Sequence, residues 1–410
     1  MKFLFVHQNF PGQFRHIIKA LAGNSGHQVV GIGEAINLKG RPLVHSRVTV
    51  KGYVLKKSES TETHHYVRDF EAAVRRGQEV VRLALDLKKY GFQPDVVVSH
   101  SGWGESLFLK EVFPGSRHIV YCEYFYRIDG GDVGFDPEFK MVFDDRFRVP
   151  MKNTVQLHSL SAMDNGLSPT HWQKGLYPEL FQPKIKVIHE GVATEHIQPD
   201  PEAVFVVDGV ALDRKIPVVT YVARNLEPYR GFHTFMRSIP FLQSRSPEAH
   251  IVIVGGDDVS YGRKLPPPMT YRELYTKEIK DQVDWSKVHV IGRVPYNEYI
   301  KVLQISTVHV YLTYPFVLSW SMLEAMAAGC LVIASGTAPV REVIRHGENG
   351  LLVDFFDYRQ LAETVSEVIK HIRDYDSLRL AARETVRQRY DLHNVCLPGQ
   401  LLLITEGGNL

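Results

Sequence analysis

Val308–Leu312 (VHVYL), Thr313–Gly329 (TYPFVLSWSMLEAMAAG) and Leu331–Ala334 (LVIA) follow one another directly, apart from Cys330. A short apolar run, a loop, an alanine-rich helical pattern stopped by a glycine and a second apolar run make up the βαβ unit of a parallel sheet. On the amino-terminal side Pro217–Val222, His250–Val254 and Val288–Ile291 predict three more strands with helical patterns between them. An earlier series starts with Phe3–Val6, the turn Pro11-Gly12, and Phe14, Ile17, Ile18 and Leu21 at helical spacing. It continues through His27–Ile32, a long amphipathic helix over Tyr66–Tyr90, and strands at Val96–Val98, His118–Tyr121, Thr154–Leu160 and Lys186–Ile188. Residues 196–214, with Pro199 and Pro201, read as irregular and separate the two series, while 257–287 reads as a surface excursion. The pattern predicts two doubly wound α/β domains, with ligands beyond the carboxyl ends of the strands.

The chain has 410 residues, 44% of them apolar and 23% charged. At about 100–200 residues per domain that is two or three domains with ample cores. A net charge of +2 gives no electrostatic footprint for nucleic acid, though a neutral total is compatible with a peripheral membrane contact, because patches are spatial. Cys122, Cys330 and Cys396 are too few and too dispersed for a disulfide framework or a zinc set. No apolar run approaches the ~18 residues of a spanning helix, and the run at Phe3–Val6 is too short for a signal-peptide core. These features together predict a soluble, cytoplasmic protein.

Two loops carry candidate chemistry. After the strand Val218–Val222, Arg224 and Arg230 flank a turn that leads into a helix, a combination suited to a phosphate or diphosphate. After Val308–Leu312, Glu324 is placed either to accept hydrogen bonds from a ribose diol or to close a capping box with Ser321. On the first reading the N–H groups of Val317 to Ser319 address phosphate oxygens.

These pieces, with Ile251–Asp257, Ile291–Val294, Met322–Ser335 and Val340–Val353, occur in an order and at spacings that resemble glycosyltransferase family 4. Ser168-Pro169-Thr170 and Lys186–Val192 also resemble the end of that family's amino-terminal domain. The resemblance implies a GT-B fold, two facing Rossmann-like doubly wound parallel-sheet domains with a central cleft. It implies residues 1–205 as the acceptor-side domain, 206–385 as the nucleotide-sugar domain, and 386–410 as a terminal helix crossing back. The implied activity is retaining transfer of a sugar from a nucleotide diphosphate donor, a UDP- or GDP-sugar, to an unidentified acceptor, with no metal or other cofactor.

Carried over by residue, the resemblance assigns Arg224 and Arg230 to the diphosphate, Glu324 to the ribose, and Arg293 and Val294 to the base. Val317, Leu318 and Ser319 line the donor, and Gly12 in Phe10-Pro11-Gly12-Gln13 lies against it. Two departures stand out. Phe316 occupies the place of a glutamate that contacts the donor sugar, and Glu123 that of a histidine near the reacting carbon. Glu123 is thus the candidate to bond a sugar hydroxyl or stabilise developing positive charge, unless it pairs with Arg127; His100 is a weaker substitute. Thr63-His64-His65 and the aspartates 129, 132, 144 and 145 read as surface and turn residues, and Tyr124–Tyr126 as acceptor lining or core. A nucleotide-sugar 2-epimerase and a catalytically silent nucleotide-sugar-binding scaffold are the competing readings.

Overall fold

The computed structural model describes residues 1–55 and 62–406. They form two compact units: Met1–Glu190 with the carboxyl-terminal segment from His393, and Gly191–Leu392.

The first unit is built on seven parallel strands, β1 Lys2–Val6, β2 Gln28–Glu34, β3 Val48–Tyr53, β4 Val96–His100, β5 Arg117–Tyr121, β6 Asn165–Ser168 and β7 Ile185–Val187. Their order across the sheet is β3-β2-β1-β4-β5-β6-β7, so the winding reverses between β1 and β4. Alternation along β1 explains why both faces are covered. Phe3 and Phe5 enter a core with Phe14, Ile17 and Ile18, whereas Leu4 and Val6 enter a second core with Val80 and Ala84. The long helix Arg68–Lys89 supplies those last two residues.

In the second unit β8 Phe205–Val207 and β9 Val210–Leu212 form a hairpin. The sheet follows with β10 Val218–Asn225, β11 His250–Gly256, β12 Val288–Gly292, β13 Val308–Tyr311, β14 Leu331–Ser335 and β15 Leu351–Val353. All are parallel, in the order β12-β11-β10-β13-β14-β15, with the reversal between β10 and β13.

Several expectations are corrected. Thr154–Leu160 is not a strand but part of the helix Thr154–Ala162, which buries Val155, Gln156, Ser159 and Leu160 at helical spacing. The stretch 196–214 is not wholly irregular, because Asp208 and Gly209 take φ values of 50° and 78° and turn β8 into β9. Asp-Gly is the pair that tolerates such a turn. β3 Val48–Tyr53 has no continuous apolar run because it is an edge strand with its middle mostly exposed and only its two ends buried. The segment 257–287 carries a helix, Tyr271–Ile279, closed by a Thr270–Glu273 capping box.

The division falls at Glu190/Gly191 rather than 205/206, since Val192, Ile197 and Ala203 enter cores of the second unit. On the carboxyl-terminal side Val386 also stays in the second unit. The helix Leu397–Glu406 belongs to the first, where Leu403 and Ile404 join the core of Phe3 and Phe14 and Gln400 donates to the His189 carbonyl at 2.7 Å. Residues 407–410 lie outside the described residues.

Buried histidines are distributed over both units. Burial pulls the pKa of His7 to about 3, His189 to about 4 and His309 to about 3, and lowers those of His118 and His250. A histidine whose folded pKa is depressed contributes stability that is present above its unfolded value of ~6.5 and lost as pH falls through the folded one. Glu105 and Glu324, raised by burial, act with the opposite sign, but they are two against five. The urea midpoint is therefore expected to fall between pH 7 and pH 5; a flat or rising profile would contradict the burial of these rings in the neutral form.

Candidate functional site

The loops beyond β10, β12 and β13 carry most of the residues singled out in the sequence. β10 departs from regular pairing with β11 between Val222 and Asn225, and Arg224, exposed, sits in that irregularity. Glu227 is buried, and its carboxylate accepts the backbone N–H groups of Ser260, Tyr261 and Gly262 at 2.9, 3.2 and 2.9 Å. Asn225 donates to Ser260 Oγ at 2.7 Å and accepts from Arg293 Nη2 at 2.7 Å; the same Nη2 reaches Asp258 at 3.0 Å. The loops following neighbouring strands are thus tied together by side chains rather than by the sheet.

Arg230 lies beneath this surface at 8% exposure. Its Nη1 donates to Thr313 Oγ1 at 2.8 Å and to the Val317 carbonyl at 2.9 Å, with Tyr311 Oη at 3.4 Å. Burial alone would lower its pKa, but the Tyr311 and Tyr261 phenols outweigh that and raise it, so the guanidinium stays charged. Its carbon lies 5.3 Å from the Tyr261 ring and 5.9 Å from the Phe316 ring. Phe316 in turn packs against Tyr229 and Tyr261, with ring centroids 5.5 and 4.9 Å apart. Where a glutamate was expected from the resemblance, an aromatic cluster covers a buried cation instead.

Gly231 takes φ 68°, and a Cβ there would stand 2.3 Å from Leu312 Cβ. Both the left-handed conformation and the contact exclude a side chain. Gly231→Ala is expected to destabilise the second unit by roughly 2–4 kcal/mol through strain and overpacking, read as a lowered urea midpoint.

Glu324 does not close a capping box. The helix Trp320–Ala327 is capped by Ser319, whose Oγ accepts from Ser321 N–H at 3.4 Å. The Glu324 oxygens instead accept from Tyr296 Oη at 2.8 Å and Tyr299 Oη at 2.6 Å. Burial raises its pKa, and the two hydroxyls only partly oppose this. Ser319 N–H, expected to face a phosphate, donates to Tyr311 Oη at 2.8 Å. Leu318 is buried in the core, Val317 is half-buried with its carbonyl on Arg230, and Val294 packs against two core clusters.

In the first unit the polar residues gather at the reversal between β1 and β4. Glu123 follows β5 and is not paired with Arg127, which donates to the carbonyls of Leu176 and Gly175 at 2.9 and 2.7 Å. Its Oε2 lies 3.0 Å from His100 Nε2, and its Oε1 accepts from Gln13 Nε2 at 2.6 Å. Burial pushes the Glu123 pKa up, but the bond and charge of His100, then His7 and Gln13, bring it below the usual carboxylate range. His100 stacks on Trp103 with centroids 4.0 Å apart. Gly12, at φ 52°, gives His7 its space, since a Cβ there would stand 2.4 Å from His7 Nε2.

Asn225, Glu227, Tyr261, Tyr296, Tyr299 and His7 carry this geometry without having been marked in the sequence. The one local signal was Tyr296 and Tyr299, three apart and so on one face of the helix Tyr296–Gln304. The others depend on which loops the sheet order brings together.

Two wound parallel sheets with charged loops at their reversal points define the class of nucleotide-dependent α/β proteins. Residues 25–197 match the family described as glycosyl transferase family 4 group, and residues 209–385 match glycosyl transferases group 1. The chain belongs to this glycosyl transferase family. It is 24% identical over 210 residues to a D-inositol 3-phosphate glycosyltransferase of Nocardioides sp., covering 50% of this chain and 45% of that protein. It is 26% identical over 163 residues to the protein of the same name from Corynebacterium efficiens, covering 39% of this chain and 36% of that one. The chain thus matches less than half the length of these two relatives. Among solved structures, Anabaena HepE in complex with UDP-glucose superposes with TM-score 0.67 at 15% identity, over 100% of both chains. Sucrose-phosphate synthase from Thermosynechococcus elongatus superposes with TM-score 0.73 at 17% identity, over 98% of both chains. These likenesses establish the GT-B fold. No helix among the described residues is long and apolar enough to cross a membrane.

Proposed function

We propose that this protein transfers a glycosyl group from a nucleoside diphosphate sugar, with UDP as the nucleotide, to an acceptor hydroxyl with retention of anomeric configuration. The observation that carries the reading is the placement of Arg224 and Arg230 after β10 and of Glu324 after β13, the two strands that flank the sheet reversal, within a chain of the glycosyl transferase family. Exposed Arg224 would take the diphosphate, together with N–H groups at the start of the helix Phe232–Arg245. Glu324, already oriented by two tyrosine hydroxyls, would accept from the ribose diol. Arg230 would act from below, holding the Thr313–Val317 loop and placing a fixed positive charge under the departing phosphate. A leaving diphosphate stabilised in this way can take the acceptor proton itself, so no strong protein base is required. The choice of UDP is supported by the UDP-glucose complex of the structural neighbour, and retention by the family.

Calorimetric titration with UDP, GDP, TDP and ADP tests the donor site. UDP is expected to bind most tightly, and Arg224→Ala to weaken it about 10-fold, the loss of one charge-assisted contact. Product anomers read by NMR test retention. Absence of binding by all four nucleotides would remove the transferase reading in favour of a silent scaffold.

A further inference from the structure

The four side chains at the β1/β4 reversal form a hydrogen-bond relay whose direction can be worked out. His7 Nδ1 accepts the Asn9 N–H at 2.9 Å, so the ring proton of neutral His7 is on Nε2, which donates to Gln13 Oε1 at 2.7 Å. That fixes the amide orientation of Gln13, whose Nε2 donates to Glu123 Oε1 at 2.6 Å. His100 Nδ1 likewise accepts the Gly102 N–H at 2.9 Å, leaving Nε2–H to donate to Glu123 Oε2 at 3.0 Å. Every donor points one way and ends on the same carboxylate. Each carboxylate oxygen has about two acceptor sites and uses one of them here, so one remains on each. The Glu123 side chain keeps 23% of its surface exposed, whereas that of His100 keeps 5%. Trp103, half-buried and stacked on His100, adds an aromatic surface of the kind on which sugar rings pack.

We propose that His7, Gln13 and His100 are positioning residues that hold Glu123 as a two-point acceptor for adjacent hydroxyl groups of a saccharide substrate; the proposal rests on the glycosyl-transfer reading above. The electrostatics agree. The charged and titratable groups acting on this cluster are Arg41 on His7, Glu105 on His100, the Tyr126 and Tyr177 phenols on Glu123, and the two histidines on each other and on Glu123. Burial and the neighbouring His100 bring His7 to a pKa of about 3, so it remains a neutral Nε2–H donor across the working range.

Histidine-selective 15N NMR tests the relay without reference to activity. Signals assigned by their loss in His7→Asn and His100→Gln are expected to show the Nε2–H tautomer in both rings, with His7 neutral down to pH 5. An Nδ1–H tautomer in either ring, or a His7 titration near 6.5, would overturn the proposal. Kinetics test its purpose. Glu123→Gln is expected to lower kcat/KM about 10- to 100-fold and to erase discrimination against a deoxy analogue of the sugar, the effect of a lost hydroxyl contact. His100→Phe keeps the stacking but removes the donor and is expected to cost about 10-fold, while His100→Gln, which keeps an amide N–H, recovers most of it. UDP affinity is expected to stay unchanged in all three. If the wild type binds UDP and transfers sugar but these variants match it, the relay proposal fails alone. If the wild type neither binds UDP nor transfers sugar, it is the transferase reading that has failed.

Discussion

Arg230→Met is expected to lower kcat/KM for sugar transfer by on the order of 100-fold, the low end of the range for removing a preorganised group that stabilises developing negative charge, because Arg230 acts as a fixed charge from beneath. The same change would leave Thr313 Oγ1 and the Val317 carbonyl without the donor that now reaches them at 2.8 and 2.9 Å. Each buried acceptor left unpaired costs about 1–3 kcal/mol, so the urea midpoint should fall as well. The two effects separate with Arg230→Lys. Lysine restores the charge and a nitrogen donor but not the flat guanidinium that packs against Tyr261 and Phe316, so it is expected to regain part of the stability and little of the rate. Transfer kinetics and urea unfolding on the same preparations decide the matter. A methionine variant that is less stable yet transfers at the wild-type rate would make Arg230 a purely structural cation beneath Phe316 and Tyr261.

Glu324 gives the second large effect, and its stability change has the unusual sign. Glu324→Ala is expected to weaken UDP binding about 10- to 100-fold, the worth of one or two hydrogen bonds to an ionised group. Glu324→Gln should weaken it less, because one carbonyl oxygen still accepts. The carboxyl has a raised pKa, with burial as the main cause. A carboxyl whose folded pKa exceeds its unfolded value favours folding below that pKa, and the contribution is lost as pH rises through it. At pH 7 the ionised side chain is therefore a cost to the fold, and Glu324→Gln is expected to raise the urea midpoint while weakening UDP binding. Such a trade of stability for binding is common at functional sites. UDP affinity should also decline on acidification in the wild type but not in Glu324→Gln, once the nucleotide's own titration is subtracted. A lower midpoint for Glu324→Gln at pH 7 would mean that the bonds from Tyr296 and Tyr299 repay the burial in full.

Much of this architecture could be read from local sequence. Strands buried on both faces appear as short apolar runs, and β1, β4, β10, β13 and β14 are legible for that reason. Helices with one apolar face, such as Arg68–Lys89, show the helical period. The failures have local causes too. Thr154–Ala162 buries the polar Gln156 and Ser159 on its covered face and exposes Leu157, so its apolar residues do not follow the helical period, and β3 is exposed as an edge.

The candidate site divides along the same line. Arg224 and Arg230 were legible because a strand end, a turn and a helix start fall within a few residues there, and Glu324 because a second strand, loop and helix repeat that arrangement. Nothing local indicated that Glu227 would anchor three amides of the loop after β11, or that Tyr296 and Tyr299 would close on Glu324. The partner of Glu123 shows the difference most clearly: the nearby Arg127 turns away to two carbonyls, while His100, from the adjacent strand, and Gln13, more than a hundred residues away, take the carboxylate. The sequence by itself determined where the strands buried on both faces and their following turns lie, because backbone propensity and burial period act over a few residues. Only the tertiary structure decided which side chains meet at the sheet reversals, because strand order is set by packing between segments far apart in the chain.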